Sequence, residues 1–174
     1  MRSSFTIIVV FIWAAVALGL ITYFATQKIS DFDPNGMLTK KMNKIESDSQ
    51  FRDKLRELGF TVEKGVFHFS KGNCYCNFIA SPHINSVNSL VLKKGYKNVQ
   101  VNISAFPTLS DYIPSTPAIA VFNETGALAY LGPYSSGLYC APTEGLVEKF
   151  IPAENNIIGA VIVTDARGCY CSAH

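Results

Sequence analysis

This chain is short of charge. Lys, Arg, Asp and Glu make up 16% of its 174 residues, well under the usual quarter. Residues 3–27 carry none of them. With Arg2 and Lys28 set aside, the remaining cations equal the 13 acidic residues, so the rest of the chain is formally neutral. Nucleic acid is thereby excluded as a partner, because that affinity comes mainly from Lys and Arg neutralising phosphates. Cysteine is also sparse. Five residues are too few for a disulfide-packed miniprotein. No internal repeat, low-complexity tract, phosphate loop, paired-carboxylate site or Ser-His-Asp order stands out. Disorder is excluded too, since an apolar fraction of 48% offers enough surface to offset the entropy of ordering.

Most of the missing charge is missing from one place. Phe5 to Phe24 is an uncharged stretch of 20 residues, long enough as a helix to cross a hydrocarbon core of roughly 30 Å. Tyr23 and Phe24 lie at its far end, where aromatic rings tolerate the interface. Arg2 and the amino terminus precede the span, while Lys28 is soon offset by Asp31 and Asp33. The charge bias therefore places the N-terminus in the cytoplasm and the rest outside. A cleaved signal peptide, with Ala15-Val16-Ala17 as the cleavage motif, is the competing reading. Either way the same domain is exported. In a bacterial source the expectation is a single-pass inner-membrane protein whose C-terminal domain lies in the periplasm, where disulfides persist. All five cysteines, Cys74, Cys76, Cys140, Cys169 and Cys171, fall in the exported part.

The chain divides on this reading into an anchor (1–28), a polar linker (29–47) and a domain (48–174). Asp48 opens a helix with Phe51, Leu55 and Leu58 on one face, ending at Gly59. Val66 to Phe69 is a buried-type strand, and residues 77–93 are helical, with Pro82 inside and Gly95 as the stop. Residues 98–104 alternate as a strand. Ala118–Phe122 and Ala127–Leu131 form a hairpin about Asn123-Glu124-Thr125-Gly126. A short helix over 143–150 and a strand over Ile157–Thr164 complete an α/β domain with one mixed sheet flanked by helices. If each element crosses the sheet fully, all five cysteines arrive at one end of it.

The stretch from about Val66 to Phe150 resembles the thioredoxin-like superfamily. The likeness rests on a strand leading into closely spaced cysteines and a helix with a proline eight residues after the first of them. It rests also on Thr116-Pro117 opening a β-hairpin (TPAIAVFNETGALAYLGPY). The resemblance implies that Pro117 is cis and faces the redox cysteines, with Thr116 and Gly132 beside the same substrate groove. Cys74 would then be the attacking thiol. The chain departs from the family in having Cys74-Tyr75-Cys76 instead of Cys-x-x-Cys. It also has His68 where a buried acid often lies.

Cys74 and Cys76 lie between strand and helix, where a helix N-terminus stabilises a thiolate. Thiol–disulfide exchange with exported protein thiols or a redox partner is the first expectation, with Cys169 and Cys171 as a second pair that resolves or regulates. The same four cysteines could instead hold zinc or copper(I), as a metal-binding or metallochaperone module. The third expectation is a non-catalytic envelope adaptor in which structural disulfides pin the C-terminal tail. Otherwise no cofactor is implied. Cys140 is the odd cysteine, either a free thiol or a third partner. His68, facing away from Phe67 and Phe69, is a candidate proton acceptor near the thiols or a plain core histidine. His83 is expected on the solvent face of its helix. Tyr130, Tyr134 and Tyr139 are candidates for lining a groove.

Overall fold

A computed structural model describes residues 2–27, 29–43, 46–137, 140, 145–151 and 159–174. Helix α1 (Arg2–Thr26) contains Thr6–Phe24, a segment of mean hydropathy 2.5 in which no residue is buried. It is long and apolar enough to span a membrane. Strand β1 (Ile29–Asp31) and the short helix α2 (Met37–Met42) follow, then α3 (Ser47–Glu57), β2 (Gly65–Ser70), α4 (Tyr75–Lys93) and β3 (Lys97–Asn102). The second half supplies β4 (Ser115–Thr116), β5 (Ala118–Phe122), β6 (Leu128–Gly132), β7 (Val161–Ile162), β8 (Arg167–Cys169) and β9 (Cys171–Ser172).

The central sheet has the order β3-β2-β5-β6-β7. The β2–β3 and β6–β7 pairs are parallel, and the two between them are antiparallel. A parallel pair needs a crossover connection, and α4 is the one between β2 and β3. Alternation along the strands separates the two faces. Phe67, Phe69, Ala118, Ala120, Phe122 and Leu131 meet Phe51 and Leu55 of α3 on one side. Val66, Ile119, Val121 and Tyr130 meet Val87 and Val91 of α4 on the other. The fold is thus a mixed α/β sheet between helices, as the element order predicts.

In α4 the buried stripe is Cys76, Ala80, His83, Val87 and Val91, the spacing of one helical face. Pro82 lies on the exposed side of the helix. The Phe78 carbonyl, which loses its usual donor four residues on, accepts instead from Ser81 Oγ at 2.8 Å. The helix therefore continues through the proline.

Three expectations change. Residues 29–47, read as a linker, carry β1, α2 and the fully buried Phe32 and Leu38. The polar composition hid this because Asp33 is structural: its carboxylate accepts from Leu38 N, Thr39 N and Thr39 Oγ1 at 2.9–3.2 Å. The strand expected over Ile157–Thr164 is only Val161–Ile162, with residues 152–158 outside those described. Of the helix expected over 143–150, a 3-10 turn at Glu148–Phe150 is seen, and its start lies outside the described residues.

The ends of the domain are stitched to its body by two small ladders. Strand β8 pairs antiparallel with β1, placing Ile29 opposite Cys169. Strand β9 pairs antiparallel with β4, placing Thr116 opposite Cys171.

Candidate functional site

The loop after β2 turns at Lys71–Cys74 and delivers Cys74 as the residue preceding α4, with Cys76 in its first turn. Neither pairs with the other. Cys74 is bonded to Cys171 and Cys76 to Cys169, with Cα–Cα separations of 5.8 and 5.3 Å. The tail makes this double pairing available, because residues two apart on an extended chain share a face. The Sγ atoms of Cys74, Cys76 and Cys171 lie within 4.8 Å of one another. Two disulfides therefore stand side by side at the head of a helix, where the dipole and free N–H groups favour a thiolate whenever one is released.

The two bonds differ in access. Cys76 and Cys169 are 6% and 3% exposed, whereas Cys171 is only half-buried and, with Cys74, lines a shallow cavity of about 300 Å³ beside Lys71 and Asn102. Cys74–Cys171 is the outer disulfide and Cys76–Cys169 the inner one. Cys74 Sγ lies 3.6 Å from the Thr116 carbonyl oxygen, a contact that becomes a hydrogen bond when the sulfur is a thiol. The Thr116–Pro117 peptide is cis. The tail is held by its backbone: Ala173 N donates to Pro114 O at 2.9 Å. Lys71 Nζ donates to the carbonyls of Ser172 and His174 at 2.9 and 3.0 Å. Tyr170 anchors it from below, donating to Ser135 O at 2.7 Å and meeting Phe32 edge to face.

Other expected site residues are placed elsewhere. His68 is buried on the α4 side of the sheet, where Nδ1 is 2.5 Å from the Tyr134 hydroxyl. Burial holds its pKa down at about 4, so it is neutral at ordinary pH. A Cβ on Gly132 would come within 2.9 Å of Val163 Cβ, so this glycine serves the close approach of the β7 segment. Tyr130 and Tyr134 are buried, and Tyr139 lies outside the described residues.

Cys140 does not join the other four. It is buried as a free thiol in hydrogen-bonding contact with His83, with a left-handed φ of 50°. His83 is fully buried, contrary to the solvent-facing position expected, because it falls on the stripe that includes Ala80 and Val87. Its Nε2 pairs with Glu148 Oε1, and its ring packs edge to face on Tyr134. Burial alone would lower its pKa. Hydrogen bonds to Cys140 and Glu148, with the charge of Glu148, outweigh that and push it up to about 9. A protonated imidazole thus sits between a thiol and a carboxylate inside the domain. The legible signal was the helical spacing of residues 76, 80, 83, 87 and 91, which puts His83 in register with the buried positions.

A profile of a domain of unknown function, DUF6436, matches residues 43–173. The chain belongs to the DUF6436 family. No curated protein and no solved structure matches it. The DUF6436 region includes all five cysteines, Lys71, His83, Pro117 and Glu148. Helix α1, β1 and α2 precede it, although β1 is hydrogen-bonded to β8 within it.

Proposed function

We propose that this DUF6436 protein is a membrane-anchored thiol–disulfide exchange protein of thioredoxin-like design, working on the periplasmic side of a bacterial inner membrane. The observation that carries the reading is the pair of adjacent disulfides at the head of α4. The outer one borders a cavity, and the inner one is shielded. A purely structural staple needs no second bond within 4.8 Å and no access for a thiol. The cis Thr116–Pro117 peptide facing Cys74, in a mixed sheet flanked by helices, supports the thioredoxin-like assignment.

The exchange is written from the oxidised state. A thiolate of the partner attacks one sulfur of Cys74–Cys171, forming a mixed disulfide while the other sulfur leaves as a thiolate. A second partner thiolate attacks the mixed disulfide, so the partner leaves oxidised and Cys74 and Cys171 are both reduced. Two electrons have passed to the domain. The Cys171 thiolate, whose Sγ lies within 4.8 Å of Cys76, can then attack the inner disulfide and pass the opening inward. Cys74→Ser is expected to abolish exchange with a disulfide-bonded or dithiol protein substrate, read by alkylation and mass spectrometry. Full activity in that variant would refute the reading.

The sulfur geometry also favours a second reading. Once both bonds are reduced, Cys74, Cys76 and Cys171 form a cluster with Cys169 beside it, a donor set suited to zinc or copper(I). Stoichiometric metal retained on dialysis under reducing conditions, and lost in Cys169→Ser, Cys171→Ser, would favour it over exchange.

A further inference from the structure

We infer that the thiol partner presents its cysteines at the membrane surface, as the juxtamembrane segment of another membrane protein does. This rests on the exchange reading and adds where the reaction takes place.

The inference follows from chain length. The apolar span ends at Phe24 and helix α1 at Thr26. Ile29 already belongs to β1, and its partner across the ladder is Cys169. Three peptide units reach at most about 11 Å. A ladder partner adds about 5 Å, and the step from Cys169 to Cys171 about 7 Å. Whatever angle the domain takes to the anchor, both disulfides are confined to within about 25 Å of the helix end. A domain of this size has a radius of gyration of about 15 Å and so measures nearly 40 Å across. The headgroup layer itself is about 5–8 Å deep on each side. The disulfides therefore lie in the half of the domain nearer the bilayer.

The surface around them agrees. Among the described residues outside α1, three large apolar side chains are more than 60% exposed, and two of these, Tyr75 (62%) and Phe78 (73%), flank the cysteines on the first turn of α4. Their rings are 6.3 Å apart. Aromatic side chains are enriched where one end meets lipid and the other water. Among the described residues no acidic side chain lines the cavity, and the one charged side chain that does is Lys71.

The partner's chemistry follows. Its thiolate must reach a sulfur on the bilayer-facing half of the domain, within about 25 Å of the anchor's end, which a cysteine in the segment flanking a transmembrane helix can do while its own chain stays in the membrane. The bonds exchanged are those given above, with the partner's dithiol oxidised and Cys74–Cys171 reduced.

The test uses the full chain, oxidised, in phospholipid vesicles. The probe is a phospholipid whose headgroup carries a thiol on a short ethylene glycol spacer, and 2-mercaptoethanol is the soluble comparison. Mixed disulfides are quenched with maleimide and mapped to Cys74 or Cys171 by mass spectrometry. A second protein carries a rigid helical insert of four EAAAK repeats after Gln27, which lifts the domain by about 30 Å. The expected result is at least a tenfold slower reaction of the lifted protein with the thiol lipid, and an equal rate of the two proteins with 2-mercaptoethanol. Equal rates with the thiol lipid would overturn the membrane-facing placement alone. A Cys74–Cys171 bond that resists both probes in both proteins would overturn the exchange reading and the partner with it.

Discussion

His83 sits between two groups that hold its proton in place. The thiol of Cys140 and the carboxylate of Glu148 both favour the imidazolium, against the burial that opposes it. Its folded pKa, raised from 6.5 to about 9, fixes the sign of the effect on stability. The contribution is fully present below about pH 6.5 and is lost as pH rises through about 9. Glu148→Gln keeps the shape but removes the charge. It is expected to cost about 1–2 kcal/mol in urea unfolding at pH 6, with the gap to the parent closing by about pH 10. A gap that stays constant across that range would show that the carboxylate does not hold the proton. At this scale the sequence was a partial guide. Cys74, Cys76, Cys169 and Cys171 were legible as one chemical group because their spacing repeats. His83 and Glu148 were not, since 65 residues separate them and no local pattern records a contact of that length. Lys71, which holds two tail carbonyls, was missed for the same reason.

Among the elements, the strands and helices with strong periodicity were readable. Strand β5 has the predicted bounds, and α4 and β6 differ from theirs by a residue or two. The short ladders β1–β8 and β4–β9 were not, because strands of two or three residues carry no alternation to detect. These ladders are held by the two disulfides, which are nested: Cys76–Cys169 closes 93 residues inside the 97 closed by Cys74–Cys171. With either bond in place, the other closes only a ring of residues 74–76 and 169–171. Loop-closure entropy then gives about 5 kcal/mol for the first bond and only about 2 kcal/mol for the second. The double variant Cys74→Ser, Cys171→Ser is expected to lose about 2 kcal/mol in urea unfolding, and so is Cys76→Ser, Cys169→Ser. Removing all four sulfurs should cost about 7 kcal/mol. Additive losses, with each pair costing half the total, would show that the two bonds do not share one loop.

For the molecule as a whole, one apolar helix followed by one α/β domain was evident from where the charges are missing. The closeness of the domain to that helix was not, because a stretch rich in Asp, Ser and Asn reads as a spacer until Phe32 and Leu38 are seen to be buried. Val16→Arg introduces a charge near the middle of the span, at a cost of about 2.5–3.5 kcal/mol in insertion. The expected outcome is a large shift of the protein out of the carbonate-resistant membrane fraction. Unchanged retention would mean that something other than α1 holds it there.

The distance along the chain between the two halves of the disulfide pair also sets the order of events during biosynthesis. Cys74 and Cys76 leave the ribosome more than ninety residues before Cys169 and Cys171. During that interval the first two sulfurs have only each other and Cys140 as partners within the chain. The native bonds can close only after the last turn of synthesis has delivered the tail. A product cut short before Cys169 therefore lacks the native partners of both sulfurs at the head of α4.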